Sequence, residues 1–252
     1  MHHPTSMRLP VEILSLIFSF LVSDIATLTA CSKDPLLFPV VEKHLYYHVT
    51  VCFGCKTDGH LNAFRPDDFS KRISENPRIV HYVRILQFQL NYISMEQNKG
   101  LSTFAKTLRM LPGLESIRFS GIAYIEFPDV FQVALKDRLG QPTVKEVRMA
   151  GGMNSIPFSW FDSSKNLEAL FLSGSVNVMG TSSFDSNLPQ LKTLSMESDF
   201  GYLCPEFVAW VELHVNKLQS LRLSAQLQYL SRMCPETLNK LDICLHNTRC
   251  KV

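Results

Sequence analysis

The chain has 252 residues, 46% apolar and 19% charged, with 25 Lys and Arg against 23 Asp and Glu. A formal charge of +2 with no block of one sign excludes an electrostatic arm for DNA or a membrane surface. Eleven Gly and 13 Pro exclude collagen-like and low-complexity chains, which leaves one or two soluble globular domains with a real core.

The first element is a helix over Pro10 to Val22, with Pro10 in the first turn, where a missing N–H costs nothing. On a helical wheel Glu12, Ser15 and Ser19 fall within about 60°, and apolar residues sweep roughly 240° of the remainder. A helix packed on one core needs a stripe of little over ~100°. This helix therefore asks for burial on two sides. Ser23-Asp24 caps a second helix at Ile25 to Cys31, and Asp34-Pro35 opens a third running to about Tyr47. Three such short helices make a core too small to surround the first.

The run from Leu9 to Val22 also has the outline of a secretory signal, with Arg8 before it and Thr29-Ala30 as a cleavage site. Against this, Glu12, Ser15 and Ser19 interrupt it, and none of the eleven asparagines opens an N-x-[ST] sequon. The run is also shorter than the ~18 apolar residues of a spanning helix. Seven cysteines (Cys31, Cys52, Cys55, Cys204, Cys234, Cys244 and Cys250) are odd in number and form no disulfide framework, which points to free thiols in a reducing compartment. Cys52-x-x-Cys55 with His60 is only half a zinc site, so no metal is expected.

Leu9-Pro10-Val11-Glu12-Ile13-Leu14, followed by Ser15 to Leu21, resembles the opening of an F-box, whose pattern begins Leu-Pro-x-Glu before a bulky apolar run. Leu45 to Val49 is similar to the end of the fungal version, where the chain leaves the third helix for a strand. The resemblance covers roughly residues 7–50 and departs in lacking a Trp after Cys31-Ser32. It implies docking on a Skp-type adaptor, and through it on a cullin-RING ubiquitin ligase. The residues it assigns to that contact are Leu9, Pro10, Glu12, Ile13, Leu14, Ile17, Phe18 and Leu21.

From residue 80 a spacing recurs: apolar, two residues, apolar, one residue, apolar. It appears at Val83/Leu86/Phe88, Leu114/Ile117/Phe119, Val144/Val147/Met149, Leu167/Leu170/Leu172, Leu191/Leu194/Met196, Leu218/Leu221/Leu223 and Leu238/Leu241/Ile243. The periods are 31, 30, 23, 24, 27 and 20 residues, around the range of leucine-rich repeats, in which each unit is a short strand plus a helix or turn. Helices are predicted at 101–111, 128–139, 205–215 and 226–234, with turns in units too short for one. Alternation places Gln87, Arg118, Arg148, Phe171, Ser195, Arg222 and Asp242 in one outward row. Three arginines there suit an acidic or phosphorylated segment, with Phe171 as an apolar anchor. The asparagine usual after the third apolar position is absent, so the turns need another support and the solenoid should be irregular. Nine residues follow Ile243, and whether 245–252 cap the last strand or leave its edge exposed stays open.

No G-x-S-x-G elbow, P-loop, G-x-G-x-x-G or H-E-x-x-H occurs, so no active site and no cofactor are expected. The fold class expected is α plus α/β: a three-helix F-box at 1–50, a linker or cap at 51–79, and a leucine-rich-repeat-like domain at 80–252. That domain would place short parallel strands on a concave face and helices or turns on the convex one. F-box plus degenerate repeats resembles fungal F-box families, and implies an intracellular substrate-recognition adaptor of an SCF-type ligase that binds an unknown protein substrate. Nucleic acid and membrane are not expected as partners. Two alternatives stand: a leucine-rich binding or scaffold protein without a ligase role, and a secreted leucine-rich protein that loses its first thirty residues.

Overall fold

A computed structural model describes residues 9–22, 24–54, 62–91, 95–123, 127–153, 156–174, 178–179, 188–197, 218–224 and 240–244. Three short helices come first: α1 (Val11–Phe20), α2 (Ile25–Ser32) and α3 (Phe38–Leu45). Asp24 caps α2 through a bond that its carboxylate accepts from the Thr27 N–H at 3.0 Å. The third helix starts later than Asp34-Pro35. There the Asp34 carboxylate accepts from the Leu36 N–H at 2.8 Å and holds a turn, and α3 begins beyond it with Pro39 in its first turn. Among the described residues Phe18, Leu28 and Val41 form the buried apolar core of this unit, with Leu14, Leu21, Ile25 and Leu37 packed around it.

The remaining elements build one parallel sheet. In chain order they are β1 (His48–Phe53), β2 (Ala63–Phe64), α4 (Pro66–Glu75), a 3-10 turn (Pro77–His81), β3 (Ile85–Asn91), α5 (Met95–Arg109), β4 (Ser116–Ala123), α6 (Asp129–Leu139) and β5 (Glu146–Met153). There follow β6 (Ile156–Pro157), a second 3-10 turn (Phe158–Phe161), β7 (Ala169–Ser173), β8 (Val178–Met179), β9 (Thr193–Glu197), β10 (Ser220–Ser224) and β11 (Lys240–Cys244). The sheet runs β11-β10-β9-β7-β5-β4-β3-β1-β2, and β6 and β8 pair separately. Helices combined with a parallel sheet are as expected. Among the described residues, however, the sheet is an open layer rather than a wound solenoid. Helical returns follow β3 and β4; most of the returns beyond β8 lie outside the described residues, as do the helices expected at 205–215 and 226–234 and the segment 245–252.

The sheet also begins earlier than the repeat spacing indicated. Segment 51–79, expected as linker or cap, contains the second half of β1, all of β2 and α4, and the start of the first 3-10 turn. Val49 and Val51 of β1 pair with Leu86 and Phe88 of β3, so Tyr46/Val49/Val51 repeats the spacing of Val83/Leu86/Phe88.

Alternation explains the core. Leu86, Ile117, Val147, Leu170, Leu194 and Leu221 stand side by side across six strands, with Phe88, Phe119, Met149, Leu172 and Met196 two residues on. All of them are buried. On this face α5 supplies Phe104, edge-on to Phe88 at 5.8 Å, and α6 supplies Phe131, edge-on to Phe88 at 5.5 Å. Phe88 and Phe119 stack between them at 4.9 Å.

Register is held at both strand ends. At the start, one carbonyl accepts from two successive N–H groups of the next strand. Arg84 O accepts from Glu115 and Ser116, Glu115 O from Lys145 and Glu146, Lys145 O from Glu168 and Ala169, and Glu168 O from Lys192 and Thr193. At the far end Gly121, Gly151 and Gly174 lie side by side with φ of 103°, 107° and 82°. A Cβ on each would overlap the backbone of its neighbour: Leu90 for Gly121, Gly121 for Gly151, Gly151 for Gly174. Only glycine fits so close a backbone approach at positive φ, so this ladder pins the register near the strand ends.

Candidate functional site

Two surfaces collect the residues singled out from the sequence. On α1 the inner face holds Phe18, with Leu14 and Leu21 half-buried beside it. The opposite face is bare. Leu9, Ile13, Leu16, Ile17 and Phe20 are exposed, Phe20 to 78%, and at helical spacing they share an arc of about 100°. Of the eight residues assigned to an adaptor, Leu9, Ile13 and Ile17 lie on this stripe, and Pro10 and Glu12 are exposed at the helix start. Leu14 and Leu21 turn toward the small core, and Phe18 sits inside it at 4% exposure, so Phe18 supports the helix rather than offering surface. Leu16 and Phe20 belong to the bare stripe although the motif pattern does not single them out. Only the wheel reveals them.

The second surface is the polar face of the sheet. Gln87, Arg118, Arg148, Phe171, Ser195, Arg222 and Asp242 occupy the same register position on β3, β4, β5, β7, β9, β10 and β11. Thr50 of β1 extends the row by one strand. These residues therefore form the line that alternation requires, in chain order and without a slip.

Their side chains are not equivalent. Glu146, two residues before Arg148 and on the same face, gathers both neighbouring guanidiniums. Arg148 donates from Nε to Oε1 at 2.8 Å and from NH2 to Oε2 at 2.9 Å, and Arg118 NH2 donates to Oε1 at 3.1 Å. Ser116 Oγ donates to the same carboxylate at 2.8 Å and accepts from Arg118 Nε at 3.1 Å. Burial alone would raise the Glu146 pKa. The bonds from Arg148 and Ser116 and the two cationic charges outweigh it, and hold the carboxyl down at about 2. Arg148 also lies over Phe171, its guanidinium carbon 4.1 Å from the ring centroid. Phe171 is thus a platform for Arg148. Further along the face Gln87 donates to Ser120 Oγ at 3.2 Å. Burial and the Arg118 charge lower the His48 pKa.

A depression of about 480 Å³ opens on this face across β5, β7, β9 and β10. Arg148, Phe171, Ser195 and Arg222 line it, so four of the row residues share one site, while Gln87 and Arg118 are not among its lining residues and the Asp242 side chain lies outside the described residues. Ser173, Thr193 and Ser220 add hydroxyls around the rim. A second depression, about 380 Å³, lies where α2 and α3 meet α4, between Phe38, Tyr46, Phe64 and Arg72. There Asn76 donates to the buried Glu42 carboxylate and ties the three-helix unit to the sheet.

Compared with protein-family models, curated proteins and solved structures, the chain matches none. Cys55 and His60 of the half zinc motif lie outside the described residues. Cys52 is buried, its thiol 3.6 Å from Gln89 Oε1, and Cys31 is half-buried. Among the described residues no helix is long and apolar enough to cross a membrane.

Glu146 is the residue that sequence reasoning missed. The available signal is its place two residues before Arg148, which puts both side chains on one face of a strand.

Proposed function

We propose that this chain is an F-box protein with degenerate leucine-rich repeats, acting inside the cell as the substrate-recognition adaptor of an SCF-type cullin-RING ubiquitin ligase. Its three-helix unit docks on a Skp-type adaptor, and its sheet face holds the protein to be ubiquitinated. The observation that carries this reading is the bare stripe Leu9, Ile13, Leu16, Ile17 and Phe20 on a helix whose inner face is already packed. Stable monomers rarely leave so contiguous an apolar patch uncovered, and it falls on the segment that resembles an F-box opening. The regular strand spacing, with a buried apolar side and a polar row opposite, supports a repeat-type binding domain.

In this role the protein carries no reacting groups of its own. It acts by proximity, raising the concentration of a bound substrate around a ubiquitin-loaded enzyme.

The test is co-elution of the full chain with a purified Skp-type adaptor in gel filtration. A one-to-one complex is expected, and Ile13→Asp with Ile17→Asp should abolish it while the far-UV spectrum and melting temperature hold. Failure of the unmodified chain to bind would sink the reading and leave a leucine-rich binding protein without a ligase role.

A further inference from the structure

The first helix is fastened at one polar point. α1 rests on α3, and Ser15 is the polar residue of α1 that turns inward, while Glu12 and Ser19 are exposed. Its hydroxyl meets His44 Nε2 at 3.4 Å, and Phe18, one turn on, lies beside the same ring with 6.3 Å between centroids. Among the described residues this is the only side-chain hydrogen bond that joins α1 to α2 or α3. His44 is 6% exposed. In a unit whose buried apolar core is Phe18, Leu28 and Val41, one buried imidazole is a large part of what holds α1.

A buried imidazole whose partner is a hydroxyl suits its neutral form, because charge on the ring would be buried without a carboxylate to balance it. The charged groups around it give no such balance. On α3, Lys43 carries the same sign, and the Glu42 carboxylate accepts from Asn76 on the sheet side. On α1, Glu12 stands three residues before Ser15 but is exposed. At the ends of α2, Asp24 is committed to Thr27 and Lys33 is another cation, and within α2 the titratable group is the half-buried Cys31 thiol. Burial and the Lys43 charge together hold the His44 pKa below its ordinary 6.5. We propose that His44 is an acid-sensitive latch: neutral, it holds α1 against α3 with the apolar stripe turned outward, and protonated, it lets α1 go. A released α1 exposes the ring and binds the proton more readily than the closed form. The latch is therefore fully closed above 6.5 and opens as pH falls through the folded value. The inference rests on the adaptor reading only in making this release a control of docking.

The experiment follows amide hydrogen exchange of the full chain by mass spectrometry at about pH 7.5, 6.5 and 5.5, each rate divided by the intrinsic rate at that pH. Protection of residues 11–20 should fall by up to about tenfold per pH unit below 6.5, the response of a single proton. Strands β4 and β5 should keep theirs. They are the control because His48, on β1, is also held below its ordinary value. His44→Gln, uncharged at every pH, should flatten the step in α1. If that variant does not fold, the assigned His44 ring signal of the unmodified chain decides by NMR, and it should titrate below 6.5. A midpoint at or above 6.5, equal protection of α1 across the series, joint loss of protection in α1 and the sheet, or an unchanged step in His44→Gln would each overturn the proposal. With a Skp-type adaptor added, docking should weaken on acidification more for the unmodified chain than for His44→Gln, and equal weakening would overturn the control of docking. No adaptor is present in the exchange measurement, so the latch and the adaptor reading fail independently.

Discussion

The three-helix unit and the sheet solve the problem of burial in opposite ways. Among the described residues the sheet buries its apolar side: Phe88 has aromatic neighbours at Phe53, Phe104, Phe119 and Phe131, and no route to water. Among the described residues the three-helix unit closes on Phe18, Leu28 and Val41, and leaves the stripe from Leu9 to Phe20 on α1 exposed. Apolar side chains are thus stability in one region and surface in the other. The same type of residue, Phe at 88 and Phe at 20, should behave oppositely when changed.

The largest effect is expected at Phe88. Its replacement by Ala should remove about 3–5 kcal/mol from the sheet in urea or thermal unfolding, as loss of a fully buried ring does. Next is Gly151→Ala, where the backbone has φ of 107° and the added Cβ would meet the Gly121 carbonyl. Strain of this kind costs about 1–3 kcal/mol before the overlap is counted, so a clear drop in melting temperature should follow.

A smaller and pH-dependent effect belongs to Glu146. Its folded pKa of about 2 lies below the unfolded value of 4.5, so its contribution is fully present above 4.5 and is lost as pH falls toward 2. The shift sets an upper limit of about 3 kcal/mol, reduced by solvent screening because Arg148 is half-exposed. Glu146→Gln should therefore lower stability at pH 7 and flatten the loss of stability between pH 5 and pH 2. An unchanged acid profile would mean that the carboxylate is not held by its arginines. The smallest effect on folding is expected from Ile13→Asp with Ile17→Asp, within about 0.5 kcal/mol, because both side chains face solvent. A large loss there would show that α1 is covered by its own chain, and the contrast between the two regions would vanish.

Much of the sheet was legible in advance because a strand has period two and each unit places three apolar residues at the same spacing. Leu86, Ile117, Val147, Leu170, Leu194 and Leu221 could be aligned by eye, and they are neighbours. The resemblance at Leu45 to Val49 already implies a strand there, but β1 falls outside the repeat series because Tyr46 precedes Val83 by 37 residues, farther than any later pair of units, and the segment between holds α4. The bare stripe on α1 was legible from the wheel, although assignment by motif placed Phe18 on it and left out Leu16 and Phe20. Arc position fixes which face a helical residue shares, but only the packing of α2 and α3 decides which face is covered.

By itself the sequence determined which residues are apolar at which spacing, and hence which side of each strand enters the core and which seven residues line up opposite. It also determined that α1 has more apolar surface than three short helices can cover. The tertiary structure alone decided how the aligned residues spend their charges: Arg118 and Arg148 converge on Glu146, and Phe171 lies under Arg148. Two of those pairings, Arg118 with Glu146 and Arg148 with Phe171, join residues on neighbouring strands more than twenty positions apart. No local pattern encodes them, because they exist only once register has brought the strands side by side.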